Sequence, residues 1–168
     1  MPYVHAADGT PLFYTDTGSG PVLVLLQGLM LTASGFWTGN IAPLARTCRV
    51  IALDHRSHGL SGKPLGPHSI RQCADDLKTV LDTLELEDVT LVGVAFGAMV
   101  MLEYRRHHGN HRLARLAIVE AQVRLTNAEG WAHPTFGDFP QEAGAGFVEA
   151  CRHGREPLTG FLHGAFGT

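Results

Sequence analysis

The first chemical signal in the sequence is the spacing of Gly93, Ala95 and Gly97 within "LVGVAFGAMV", residues 91 to 100. A β-branched run enters this stretch and an apolar helical run leaves it, so a sharp strand-to-helix turn is expected between them. A turn this tight needs small flanking residues, which the two glycines supply. The central side chain then stands above the sheet at the N-terminus of the following helix. There the helix dipole and free N–H groups favour an oxyanion. Ala95 has no hydroxyl to deprotonate and can attack nothing.

The elements that must position this turn are legible on either side of it. "VLVLL" (22–26), "RVIAL" (49–53), "VTLVG" (89–93) and "RLAIV" (115–119) are continuous aliphatic runs, the pattern of strands buried on both faces. Ile70, Cys73, Ala74, Leu77, Val80, Leu81 and Leu84 fall on one stripe, which predicts an amphipathic helix over 69–84. Residues 96–107 are apolar nearly all round at their start, which predicts a buried helix. "YVHAADGTPLFYTDTGSG" (3–20) holds two strand-like pieces around Asp8-Gly9, a hairpin signal. The order is therefore a hairpin and then β-α-β-α-β-α-β, an α/β fold with a mostly parallel sheet and helices on both faces. From 130 to 168 there are eight glycines and no strand-like run. Loops and short helices are expected there, as the start of a lid. The domain reading is residues 1–125 as core and 126–168 as lid or cap segment.

In such a sheet, ligands bind at the C-terminal ends of the strands. Four distinctive loops leave those ends: "QGLMLTASGFW" (27–37), "DHRSHGLSGKP" (54–64), Gly93 to Gly97, and "EAQVRLTNAEGW" (120–131). Together they resemble the α/β-hydrolase family, over about residues 3 to 140. The first is similar to its "HGxxxxxxxW" oxyanion loop and the second to its "DxRGHGxSxxP" loop. The third resembles its G-x-S-x-G nucleophile elbow with the serine absent. The fourth resembles the "VDQxPRxLNDxGW" stretch of the esterase, haloperoxidase-like and cofactor-free dioxygenase branch.

The resemblance implies that position 95 is the nucleophile position. It makes Phe96 N–H one oxyanion donor and Leu29 N–H the second, with Met30 the alternative. Gln27 replaces a histidine that supports the loop, and its amide is expected to bond backbone groups instead. Glu120 stands where one branch places its triad acid, and Trp131 and Met30 are candidate substrate contacts beside Gln27. The family's catalytic histidine lies later than residue 168. Ala95 is open to three explanations: a deliberate Ser→Ala change, a natural loss of the nucleophile, or a chemistry that needs no serine.

The other chemically capable residues have structural readings. His55 and His58 lie in the "DHRSHG" loop, where the second histidine is expected to brace the turn, and Asp54 and Arg56 to tie it together. His107, His108 and His111 close the elbow helix, where cations suit its dipole. The i, i+4 pair His107 and His111 is expected to have no carboxylate cluster nearby, so no metal site is expected. His133, His153 and His163 fall in the lid-like tail. Trp37, Trp131, Phe136 and Phe139 are candidates for an apolar acyl pocket or for ordinary core. Cys73 lies on the buried stripe of its helix.

Composition bounds the rest. The 168 residues carry a net charge of -3, with 13 basic residues that form no block, so no nucleic-acid or membrane partner is expected. The three cysteines are odd in number and far apart, which argues against a disulfide framework. The start, "MPYVHAADGT", has no signal-peptide pattern, and the expected location is cytoplasmic. The expected function is that of an esterase-like hydrolase of a small apolar ester, without cofactor, inactive as written. The rivals are a non-catalytic binding protein and a cofactor-free oxygenase. An uncovered last strand calls for a partner, either a second copy or a C-terminal segment, so the fold is expected to be truncated before its C-terminal strands.

Overall fold

The computed structural model describes residues 2–66, 68–121, 126–131 and 140–166. The chain forms two compact units, Met1–Ala121 and Gln122–Thr168.

In the first unit, β1 (Tyr3–His5) and β2 (Pro11–Thr17) form the expected antiparallel hairpin. The four aliphatic runs become β3 (Val22–Leu26), β4 (Arg49–Leu53), β5 (Val89–Val94) and β6 (Leu113–Glu120). The sheet order is β1-β2-β4-β3-β5-β6, antiparallel through β2 and parallel from β4 to β6. Two short helices, α1 (Ala33–Phe36) and α2 (Thr38–Leu44), join β3 to β4. Then α3 (Ile70–Thr83) joins β4 to β5, and α4 (Phe96–His108) joins β5 to β6.

Alternation along the strands divides the core into two layers. Val24, Leu26, Ile51, Leu53 and Leu91 pack with Leu77, Leu81, Met101 and Tyr104 of α3 and α4. On the opposite face, Leu25, Val50 and Ala52 pack with Ala33 and Trp37, which assigns Trp37 to the core. The start of α3 is fixed by a capping box: Ser69 Oγ accepts from Gln72 N–H, and Gln72 Oε1 accepts from Ser69 N–H. Burial raises the Cys73 thiol pKa to about 12, as suits inert packing. Along the β6 edge, Leu116, Ile118 and Val119 are exposed.

In the second unit, α5 (Gln141–His153) and α6 (Glu156–Phe166) are longer than the short helices expected there. Gly144, Gly146 and Gly160 lower their helix propensity without breaking them. Phe147 and Phe161 pack ring to ring with centroids 5.5 Å apart. Phe136, Phe139 and His133 lie outside the described residues. No described helix is long and apolar enough to cross a membrane.

Candidate active site

The expected turn is present. Ala95 lies between β5 and α4 with φ 48° and ψ −111°. A non-glycine residue held there stores strain of about 1–3 kcal/mol. Two close approaches enforce it. A Cβ on Gly97 would fall 2.4 Å from the Leu26 carbonyl oxygen, and one on Gly93 would fall 2.8 Å from the Ala98 nitrogen. Ala95 N–H donates to the Glu120 carbonyl at 2.7 Å. A register shift, in which Gly93 faces Ile118 while Val94 faces Glu120, brings β6 level with the turn. Glu120 therefore stands directly beside Ala95 at the strand ends, with an exposed side chain.

Phe96 opens α4, so its N–H has no partner within the helix. The loop after β3 closes the other side of the turn. A Cβ on Gly28 would lie 3.8 Å from the Ala95 Cβ. Of the two candidate donors in that loop, Met30 N–H is already engaged, donating to His58 Nε2 at 3.1 Å. That leaves Leu29 N–H as the candidate donor of this loop. Leu29, Met30, Leu31 and Phe36 give this side of the site an exposed apolar rim.

The loop after β4 is held from several sides. Asp54 Oδ1 accepts from Ala33 N–H at 2.7 Å and Oδ2 from Leu60 N–H at 2.8 Å. Ser61 Oγ donates to the Asp54 carbonyl and accepts from Phe13 N–H, which joins the loop to β2. Arg56 makes a bidentate pair with buried Asp76 of α3, at 2.6 and 2.7 Å, and reaches Asp8 in the hairpin turn at 3.0 Å. The pair raises the Arg56 pKa, so the guanidinium stays charged. These contacts match the structural roles expected of Asp54 and Arg56.

The Gln27 expectation needs correction. Its side chain is fully buried, and neither amide atom has a hydrogen-bond partner among the described residues. It braces no backbone group; His58 does that work on the loop. Such a tertiary bond, 28 residues apart in sequence, leaves no local pattern to find. His55 is also buried, and its Nε2 has no partner among the described residues. Burial pushes its pKa down to about 3, with the neighbouring His58 adding to the effect, so His55 stays neutral.

The histidines closing α4 differ from expectation as well. Carboxylates do face them: Glu103 bonds His107, while Asp75 and Asp82 of α3 bond His108 and His111. The α3 carboxylates arrive by helix packing, which sequence neighbours do not show. Among the described residues, no group of three or more His, Cys, Asp or Glu side chains could hold a metal ion. Trp131 lies in the second unit, bridged to Ala128.

Residues 21–151 match the model of the alpha/beta hydrolase fold family. The chain belongs to that family. It is 36% identical over 132 residues to a putative carbamate hydrolase, RutD, of Azorhizobium caulinodans, covering 79% of this chain and 45% of that protein. It is 34% identical over 144 residues to a non-heme haloperoxidase of Rhodococcus erythropolis, covering 83% and 53%. Among solved structures, an esterase from Exiguobacterium antarcticum superposes with a TM-score of 0.83 at 26% identity, covering 95% of this chain and 59% of that one. The chain thus spans about half the length of the curated relatives it matches.

Proposed function

We propose that the chain carries the nucleophile position and the oxyanion hole of an esterase-like site for small, apolar acyl substrates. The observation that carries this reading is Ala95 at φ 48°, at the head of α4 and beside the Gly28 loop. A serine at that position would present its Oγ to a carbonyl carbon lying over the turn. As the carbonyl oxygen gains charge, Phe96 N–H and Leu29 N–H would hold it, a contribution of about 3–4 kcal/mol to lowering the barrier. Glu120 is the candidate triad acid, because the register of β6 sets it next to the turn. The base is a histidine supplied by the C-terminal part of the family fold. The exposed Leu29, Leu31 and Phe36 favour a short aliphatic or aromatic acyl group over a charged one.

As written, the site lacks the hydroxyl, so binding without turnover is the second reading. The Ala95 methyl supports it directly. The test measures kcat/KM for a short-chain p-nitrophenyl ester with Ala95 and with Ala95→Ser. Both are made in the 168-residue chain and in the chain continued through the C-terminal strands of its family. Triad members act as a unit, so only the continued Ala95→Ser protein should gain, by several orders of magnitude. If that protein folds and is no faster than its parent, the esterase reading fails and the binding reading replaces it.

A further inference from the structure

One side chain contacts residues on both sides of the candidate oxyanion hole, Met30 and Phe96. His58 Nδ1 lies 2.9 Å from the Arg56 carbonyl oxygen. That oxygen can only accept, so Nδ1 carries the ring proton and Nε2 presents a lone pair. Nε2 takes the Met30 N–H at 3.1 Å. The same ring stacks on Phe96, with centroids 6.0 Å apart and planes 20° from parallel. His55 stands edge-on to both rings. Met30 sits at φ 64°, so the loop turns sharply where it is held.

We propose that His58 is the positioning residue that decides which amide of the 27–31 loop serves the oxyanion. By holding Met30 N–H to its own Nε2, it leaves Leu29 N–H to face the carbonyl together with Phe96 N–H. The proposal rests on the acyl-transfer reading for what that amide does, though not for which amide is free. The anchor of His58 is itself rigid. Arg56, whose carbonyl fixes the ring, is pinned through its side chain to Asp76 on α3 and Asp8 in the hairpin turn. A chain of contacts thus runs from α3 and the hairpin turn through Arg56 and His58 to Met30 in the loop beside Ala95.

The decisive experiment is nuclear magnetic resonance on the 168-residue chain, with no ligand and no turnover required. In the parent, the His58 ring should show the less common tautomer, protonated at Nδ1 and bare at Nε2. Met30 N–H should exchange slowly with solvent and Leu29 N–H freely. His58→Phe keeps the stack on Phe96 and removes the acceptor, so Met30 exchange should speed up several-fold, to about tenfold. His58→Gln can accept from Met30 N–H again and should restore protection. A parent ring protonated at Nε2, a protected Leu29 with a free Met30, or a His58→Phe chain with Met30 still protected would each overturn the proposal. The kinetic arm uses the continued Ala95→Ser protein, where His58→Phe should lower kcat with KM little changed and His58→Gln should recover it. Absence of turnover in that parent would count against the esterase reading alone, since the amide measurements decide the proposal without it.

Discussion

Gly97→Ala sets two physical effects against each other at one atom. Gly97 lies in the first turn of α4, where alanine is the better helix former by about 0.8–1 kcal/mol. On propensity alone the substitution stabilises. Its Cβ, however, would meet the Leu26 oxygen at 2.4 Å, the Leu26 carbonyl carbon at 2.7 Å and the Gln27 oxygen at 2.8 Å. All three are backbone atoms at the end of β3 and in the residue that follows it, and cannot swing aside as a side chain would. Ordinary carbon–oxygen contacts begin near ~3.3 Å, so the head of α4 must withdraw from β3 by about 1 Å. Such overpacking costs ~1–3 kcal/mol and here acts on backbone, at the upper end of that range. The net expectation is a loss of ~1–2 kcal/mol, and a melting temperature lower by about 2–8 °C. Thermal and urea unfolding of the chain, followed by far-ultraviolet circular dichroism, measure it. Gly146→Ala and Gly160→Ala are the controls, since nothing lies within 4 Å of a Cβ at either. They should slow amide exchange in α5 and α6 by up to about fivefold, the propensity gain alone. A Gly97→Ala chain as stable as its parent would refute the claim that close approach, not flexibility, demands glycine there.

Three further outcomes follow from the same geometry. Arg56→Met should cost about 3–5 kcal/mol in urea unfolding because it leaves the Asp76 carboxylate buried and unpaired, while Arg56→Met with Asp76→Leu should recover most of it; equal losses in the two would show that the pair itself supplies the stability. His55 has a folded pKa of about 3 against 6.5 for the free group, so the unfolded chain binds a proton first as pH falls; its contribution is complete above pH 6.5 and is lost towards pH 3, at up to ~1.4 kcal/mol per pH unit. His55→Leu should flatten the stability profile between pH 6 and 4, and an unchanged slope would remove His55 from the account. Ala95→Gly should raise stability by ~0.5–2 kcal/mol, because glycine relieves the strain at φ 48° and gives back only part of it in unfolded-chain entropy; a destabilised variant would mean that Ala95 is not strained.

Much of this architecture could be read in the residues because it is governed by local rules. Four aliphatic runs become the four parallel strands, and Ser69 with Gln72 marks the start of α3. The spacing of Gly93 and Gly97 predicts a sharp turn at Ala95, and the structure has it, with a positive φ. What escaped depends on distant parts of the chain. The bond from Met30 to His58 joins two loops that follow different strands. The carboxylates facing His108 and His111 belong to another helix. Gln27 reads as a polar residue seeking backbone, yet the packing around β3 buries its amide with no partner among the described residues. The helices of the second unit were underestimated because glycine weakens a helix signal more than it weakens a helix packed through Phe147 and Phe161.

The loop after β4 explains why the mount over position 95 persists with a methyl group on it. Asp54, Arg56 and His58 alternate along that loop, and each anchors a different neighbour. Asp54 fixes the head of α1, Arg56 fixes α3 and the hairpin turn, and His58 fixes the 27–31 loop. None of these bonds involves the side chain at 95. The turn itself is held by the Gly93 and Gly97 contacts and by Ala95 N–H, which is backbone. The strain at Ala95 is thus imposed by the surrounding fold and does not depend on a nucleophile being present. On the proposed reading the strained turn marks where a carbonyl would sit, whereas attack on it needs a hydroxyl at position 95 together with a base. That separation is why restoring one hydroxyl in a continued chain is a sharper test of function than any change to the scaffold.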